Sequence, residues 1–153
     1  MALGHALQWL ILDKDWLKLS LLNQESGISQ EKIGEMAYEL LFAMTEHILV
    51  QQQLSAILDT SARYLFIMER AAHIAHIAEA RLKVILCIAH SSLRKDRLGT
   101  RPVLYHFSTN PFDTLVIENE LAHFTHLPED TLIVETKDPL ETYLPRAIQY
   151  LRN

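Results

Sequence analysis

Residues 81–101, RLKVILCIAHSSLRKDRLGTR, decide how the chain is read. Residues 82–88 form an apolar, partly β-branched run, the pattern of a strand buried on both faces of a sheet. The run ends at Ala89-His90-Ser91-Ser92, and a basic segment follows with Arg94, Lys95, Arg97 and Arg101 against the single acid Asp96. A buried strand feeding an arginine-rich helix at its C-terminal edge is how α/β folds present guanidinium groups to phosphate. A core strand followed by a solvated helix face is the simpler alternative, and this stretch alone does not separate the two.

Working outward, 153 residues are expected to make one domain, residues 1–153, large enough to bury a sizeable core. Hydrophobic residues make up 49% and the formal charge is −5, which suits a mildly acidic globular protein. The basic residues are local, so a general nucleic-acid surface is not expected. No apolar run approaches the length of a membrane span, and the N-terminus lacks a signal-peptide pattern. Cys87 is the only cysteine and falls inside the apolar run, which excludes an internal disulfide. It suggests a buried thiol in a reducing, cytoplasmic setting.

Three more strand candidates flank this one. Residues 9–12 end abruptly in Asp13-Lys14-Asp15, charges placed where open α/β sheets bind ligands. Residues 54–58 close on Asp59-Thr60-Ser61, the outline of a Walker B strand whose acid orients magnesium. Asp59 or Ser61 as the cap of the following helix, 62–80, is the competing explanation. Residues 131–134 are the last candidate. Between them, Ser29 caps a long helix whose apolar residues, Ile33, Ala37, Leu40, Leu41, Met44 and Ile48 among them, recur at helical spacing. Asn110-Pro111 has the form of a helix start, and Asp138-Pro139 opens a final helix that Pro145 should kink or restart. His73 and His76 repeat at a spacing of three, as do His123 and His126, but no third ligand accompanies either pair and a metal site is not expected there.

Alternating strands and helices predict a three-layer α/β/α domain around a mostly parallel sheet with right-handed crossovers. An all-α interaction protein built on the helix after Ser29 would leave four strand-like runs without explanation.

Several stretches together resemble small P-loop kinases: Leu10-Ile-Leu-Asp-Lys-Asp15, Ala37-Tyr-Glu-Leu-Leu-Phe42, Ile57-Leu-Asp-Thr-Ser61, residues 81–101, and Leu132-Ile-Val-Glu-Thr136 with Pro139-Leu140. The chain looks most like the ATP-binding proteins often labelled AAA-family ATPases, related to gluconate, chloramphenicol and polynucleotide 5′-hydroxyl kinases. The resemblance implies a P-loop NTPase-like fold that transfers the γ-phosphoryl group of ATP to a hydroxyl of a small molecule or nucleotide. In that frame Asp15, with Asp13 as competitor, is the general base, and Asp59 holds magnesium through water. Arg94, Arg97 and Arg101 would neutralise charge on the nucleotide, with Arg97 taking part in catalysis. Lys14 and Arg63 would hold substrate.

One departure stands out. The sequence contains no G-x-x-x-x-G-K-[ST], the loop that cradles phosphates in this family. Its four glycines, Gly4, Gly27, Gly34 and Gly99, precede no Lys-Ser or Lys-Thr pair. The resemblance therefore implies an N-terminally truncated member whose central first strand is missing, with ATP and magnesium binding in doubt. Open strand edges would then invite self-association. A non-catalytic remnant or binding module that keeps the fold is the alternative.

Overall fold

The computed structural model describes residues 2–23, 27–61, 64–99, 124 and 126–153. They form two compact units, Met1–Leu82 and Lys83–Asn153.

The first unit runs α1 (Ala2–Leu7), β1 (Leu10–Asp13), α2 (Lys14–Leu22), α3 (Gln30–Glu46), a π-helical turn (His47–Gln51), β2 (Ala56–Asp59) and α4 (Leu65–Ile77). As the sequence predicts, Ser29 caps α3, its hydroxyl accepting the Lys32 N–H at 3.2 Å. The helix α3 is the hub of the unit. Its Ala37 and Leu41 join Leu12 of β1, Leu17 of α2 and Ile48 in one buried cluster. Phe42 turns to the other side and packs with Ile67 and Ile74 of α4. Helical spacing alone brings both sets onto α3, because residues four apart share a face and adjacent ones do not.

Two close fits tie the ends of these elements. A Cβ on Gly4 of α1 would overlap the Ile11 side chain of β1 and lie 3.1 Å from the Trp9 carbonyl, so only glycine lets α1 and β1 approach this closely. Helix α4 ends in a Schellman motif: Ala80 N–H donates to Ala75 O at 2.8 Å and Glu79 N–H to His76 O at 3.2 Å. Glu79 sits there at φ 51°, a left-handed position that favours glycine.

The second unit comprises β3 (Ile85–Ile88), α5 (Ser91–Gly99), β4 (Leu132–Glu135) and α6 (Leu140–Arg152). Pro139 occupies the N-cap position of α6. The helix continues through Pro145 rather than restarting there. The hydroxyl of Tyr150 in α6 accepts the Val84 N–H at 3.1 Å, and the Lys83 ammonium lies over the Tyr150 ring at 4.9 Å while it pairs with Asp130 at 3.0 Å.

Among the described residues the strand pairs are parallel, as expected, and they form two two-stranded sheets, β1-β2 and β3-β4. Each strand therefore keeps one edge without a strand partner among the described residues. The expectation for β3 needs correction. Leu86 is buried while its register partner Ile133 is exposed, and Cys87 is exposed while its partner Val134 is buried. Register partners share a face, so each face of this sheet is covered over one strand only. The Cys87 thiol is accordingly exposed, because an apolar run reports composition and not which face is covered. The expected helix after Asn110-Pro111, together with Arg63, Arg101 and His123, lies outside the described residues.

Candidate functional site

The pairing of β1 with β2 is in register to its last rung, Asp13 opposite Asp59. Parallel neighbours stand about 4.8 Å apart and paired residues share a face, so two acidic residues stand side by side at the C-terminal end of this sheet. Ligands of open α/β sheets bind at that end.

The carboxylates differ in employment. One oxygen of Asp13 accepts the backbone N–H groups of Asp15 at 2.9 Å and Trp16 at 3.1 Å, which makes Asp13 the N-cap of α2. Asp15, in the first helical turn, carries its carboxylate outward, where it pairs with the Lys14 ammonium at 3.1 Å. That ammonium also lies over the Tyr38 ring at 5.1 Å from its centroid. Burial holds the Lys18 ammonium below its usual range and repulsion from Lys14 adds to the effect, while Asp15 opposes it.

The capping explanation for Asp59 and Ser61 does not hold. The N-cap position of α4 is Tyr64, with no side-chain cap bond. Asp59 is exposed at the strand end, and the hydroxyl of Thr60 beside it is buried with no hydrogen-bond partner among the described residues.

In the second unit the arginines sit on α5, beyond β3. Arg94 is half-buried, and its N–H donates to the His90 carbonyl at 3.0 Å. Arg97 has a definite anchor. Its guanidinium donates to the Thr136 hydroxyl at 2.9 Å and to the Thr136 carbonyl. Thr136 in turn donates to Ile88 O through its N–H at 2.8 Å and its hydroxyl at 3.0 Å. Arg97 thus clasps α5 to the ends of both strands of its sheet. His90 Nδ1 and the Ser92 hydroxyl are 3.0 Å apart at the start of the same helix.

The sequence-predicted residues therefore gather in two sets: Asp13, Lys14, Asp15 and Asp59 in the first unit, Arg94 and Arg97 in the second. Sequence reasoning missed three aromatic residues of the first unit. The Tyr38 and Phe66 rings meet edge to face at 5.3 Å, and Tyr64 stacks on Phe66 at 6.0 Å. Tyr38 belongs to a stretch already singled out, but nothing in helical periodicity marks Tyr64 or Phe66 as exposed.

Among the described residues no three His, Cys, Asp or Glu side chains converge as a metal cage. The donor set at Asp13 and Asp59 suits a different arrangement. Magnesium characteristically takes one or two carboxylates and completes its shell with water and substrate phosphates. The residues present fit such an ion, with Asp59 as its carboxylate and the unpartnered Thr60 hydroxyl beside it, but they supply no phosphate cradle.

No family model matches the chain, and no curated protein does. Among solved structures, the chain is similar to one described as "a putative kinase from Chloroflexus aurantiacus J-10-fl". The match has a TM-score of 0.66 and 21% identity, and spans 99% of this chain and 86% of that one. The likeness shows the fold. This chain is a mixed α/β protein with short parallel sheets, built like that kinase-like structure. No described helix is long and apolar enough to cross a membrane.

Proposed function

We propose that the chain is a phosphotransferase-type domain of the P-loop kinase kind, with a three-layer arrangement, whose acceptor and metal side is formed by the ends of β1 and β2. The observation that carries this reading is the register pair Asp13–Asp59 followed by the outward Asp15. Asp13 is committed to capping α2, so Asp15 is the carboxylate left to accept a proton. In the reaction, the acceptor hydroxyl oxygen bonds to the γ-phosphorus of ATP and its proton passes to Asp15. The bond from that phosphorus to the bridging oxygen breaks, and ADP leaves. Such transfer depends on positioning and charge neutralisation more than on a strong base. Magnesium on Asp59 would supply that charge, with Lys14 beside the acceptor. Arg94 and Arg101 are the arginines proposed for the nucleotide, and Arg97 serves chiefly as the clasp on Thr136.

The second reading, a binding module without turnover, is favoured by the absence of a glycine-lysine loop from the sequence and by the engagement of Arg97. Calorimetric titration with ATP and magnesium separates the two. Micromolar binding, weakened by Asp59→Asn, supports the phosphotransferase. A folded protein that takes up no nucleotide at millimolar concentration supports the module.

A further inference from the structure

The aromatic cluster of the first unit is not used by any step above, and it adjoins the residues that are. Tyr64 is 51% exposed and Phe66 44% exposed, yet their rings stack on each other and Phe66 meets Tyr38 edge to face. Three successive contacts connect the Phe66 ring to the Asp15 carboxylate, through Tyr38 and Lys14. Charged groups reach the cluster through Tyr38 and through Phe42, which stacks on Tyr38 at 6.4 Å. Lys14 lies over Tyr38, and Arg70 lies over Phe42 at 5.1 Å while it pairs with Glu39 at 3.4 Å.

We propose that Tyr64 and Phe66 form a stacking platform for the planar ring of a small hydroxyl compound, whose hydroxyl arm extends toward the Lys14–Asp15 pair. The hydroxyl end rests on the reading of Asp15 given above; the ring end does not. Size decides for a small molecule. A Tyr or Phe side chain presents roughly 150–250 Å² in full, so the exposed fractions of these two residues leave at most about 200 Å² open. One planar ring covers that area, whereas a stable protein partner takes about 800 Å² per side. The bordering charges argue the same way, since a broad apolar partner would have to desolvate them. A planar ring carrying a hydroxyl on a flexible arm fits, as in a nucleoside or an arylalkanol.

The test needs no nucleotide cosubstrate. Uridine, 3-phenylpropan-1-ol and its saturated counterpart 3-cyclohexylpropan-1-ol are titrated against the protein by saturation-transfer NMR. Trp16, 57% exposed in the first turn of α2, serves as a fluorescent reporter. At least one of the two planar compounds binds, and which one does distinguishes a nucleoside from an arylalkanol as the ligand. The cyclohexyl compound binds at least fivefold more weakly than its phenyl counterpart. Tyr64→Leu and Phe66→Leu, which keep an apolar side chain, each weaken the planar compound by about two- to tenfold. In the unsubstituted protein the ring protons of the planar compound take up more saturation than the protons of its hydroxyl arm, so a failed phosphotransferase reading does not obscure the result. Equal affinity for the cyclohexyl compound, unchanged affinity in both leucine variants, or self-association abolished by Tyr64→Leu would overturn the platform.

Discussion

Asp13→Ala removes the acceptor for two N–H groups at the start of α2, those of Asp15 and Trp16. Loss of an N-cap costs about 0.5–2 kcal/mol, typically near 1. The lost attraction between carboxylate and helix dipole accounts for part of that and can add a few tenths. Against it stands relief from Asp59 on the neighbouring strand: two like charges about 5 Å apart repel by about 1 kcal/mol in water-like surroundings, and less with salt. The net expectation for Asp13→Ala is a loss of about 0.5–1.5 kcal/mol. Asp13→Asn keeps the cap and removes the repulsion, so it should be neutral or slightly stabilising. Urea unfolding followed by far-ultraviolet circular dichroism reads the difference. If the chain unfolds as one unit, the alanine variant melts about two to four degrees lower per kcal/mol lost. An alanine variant as stable as the parent, or an asparagine variant as weak as the alanine one, would refute the division of labour between Asp13 and Asp15.

Three further outcomes are expected. Gly4→Ala should destabilise by about 1–3 kcal/mol through overlap with Ile11, whose Cγ1 would lie 2.6 Å from the new Cβ, despite alanine's better helix propensity; thermal melting checks it. Glu79→Gly should stabilise by about 1 kcal/mol, because the Schellman position no longer strains a side chain; a higher denaturation midpoint is the expected reading. Arg97→Ala should cost about 1 kcal/mol and raise hydrogen exchange at the Thr136 amide, and Arg97→Lys should not restore it, since an ammonium cannot donate as a planar fork.

Local chemistry was legible where one element suffices to determine it. The Ser29 cap, the apolar face of α3 and the apolar runs ending in Asp13 and Asp59 depend on neighbours three or four residues away, and the structure contains each of them. What depended on distant partners was not. The run at 82–88 is apolar throughout, but whether Cys87 is covered depends on what packs over β3. The pairing of strands two by two depends on hydrogen bonds between segments dozens of residues apart. Asp59 reads equally as cap or ligand in the sequence, because where α4 begins, at Leu65, depends on packing against α3. Arg97 reads as a cation for the nucleotide because nothing in its helix announces Thr136. Tyr64 and Phe66 carry no signal in the sequence, because their ring contacts depend on how the start of α4 packs beside α3.

The four-rung length of β1 and β2 bears on how this chain can vary. Side chains alternate across a strand, so one residue added between Ala56 and Asp59 would set Leu58 opposite Asp13 and turn the shifted positions to the other face. The stretch at 47–55, with its π-helical turn and left-handed Gln53, can absorb a change of length that the strand cannot. Insertions and deletions in descendants of this sequence should therefore collect upstream of Ala56, and the spacing from there to Asp59 should stay at four residues.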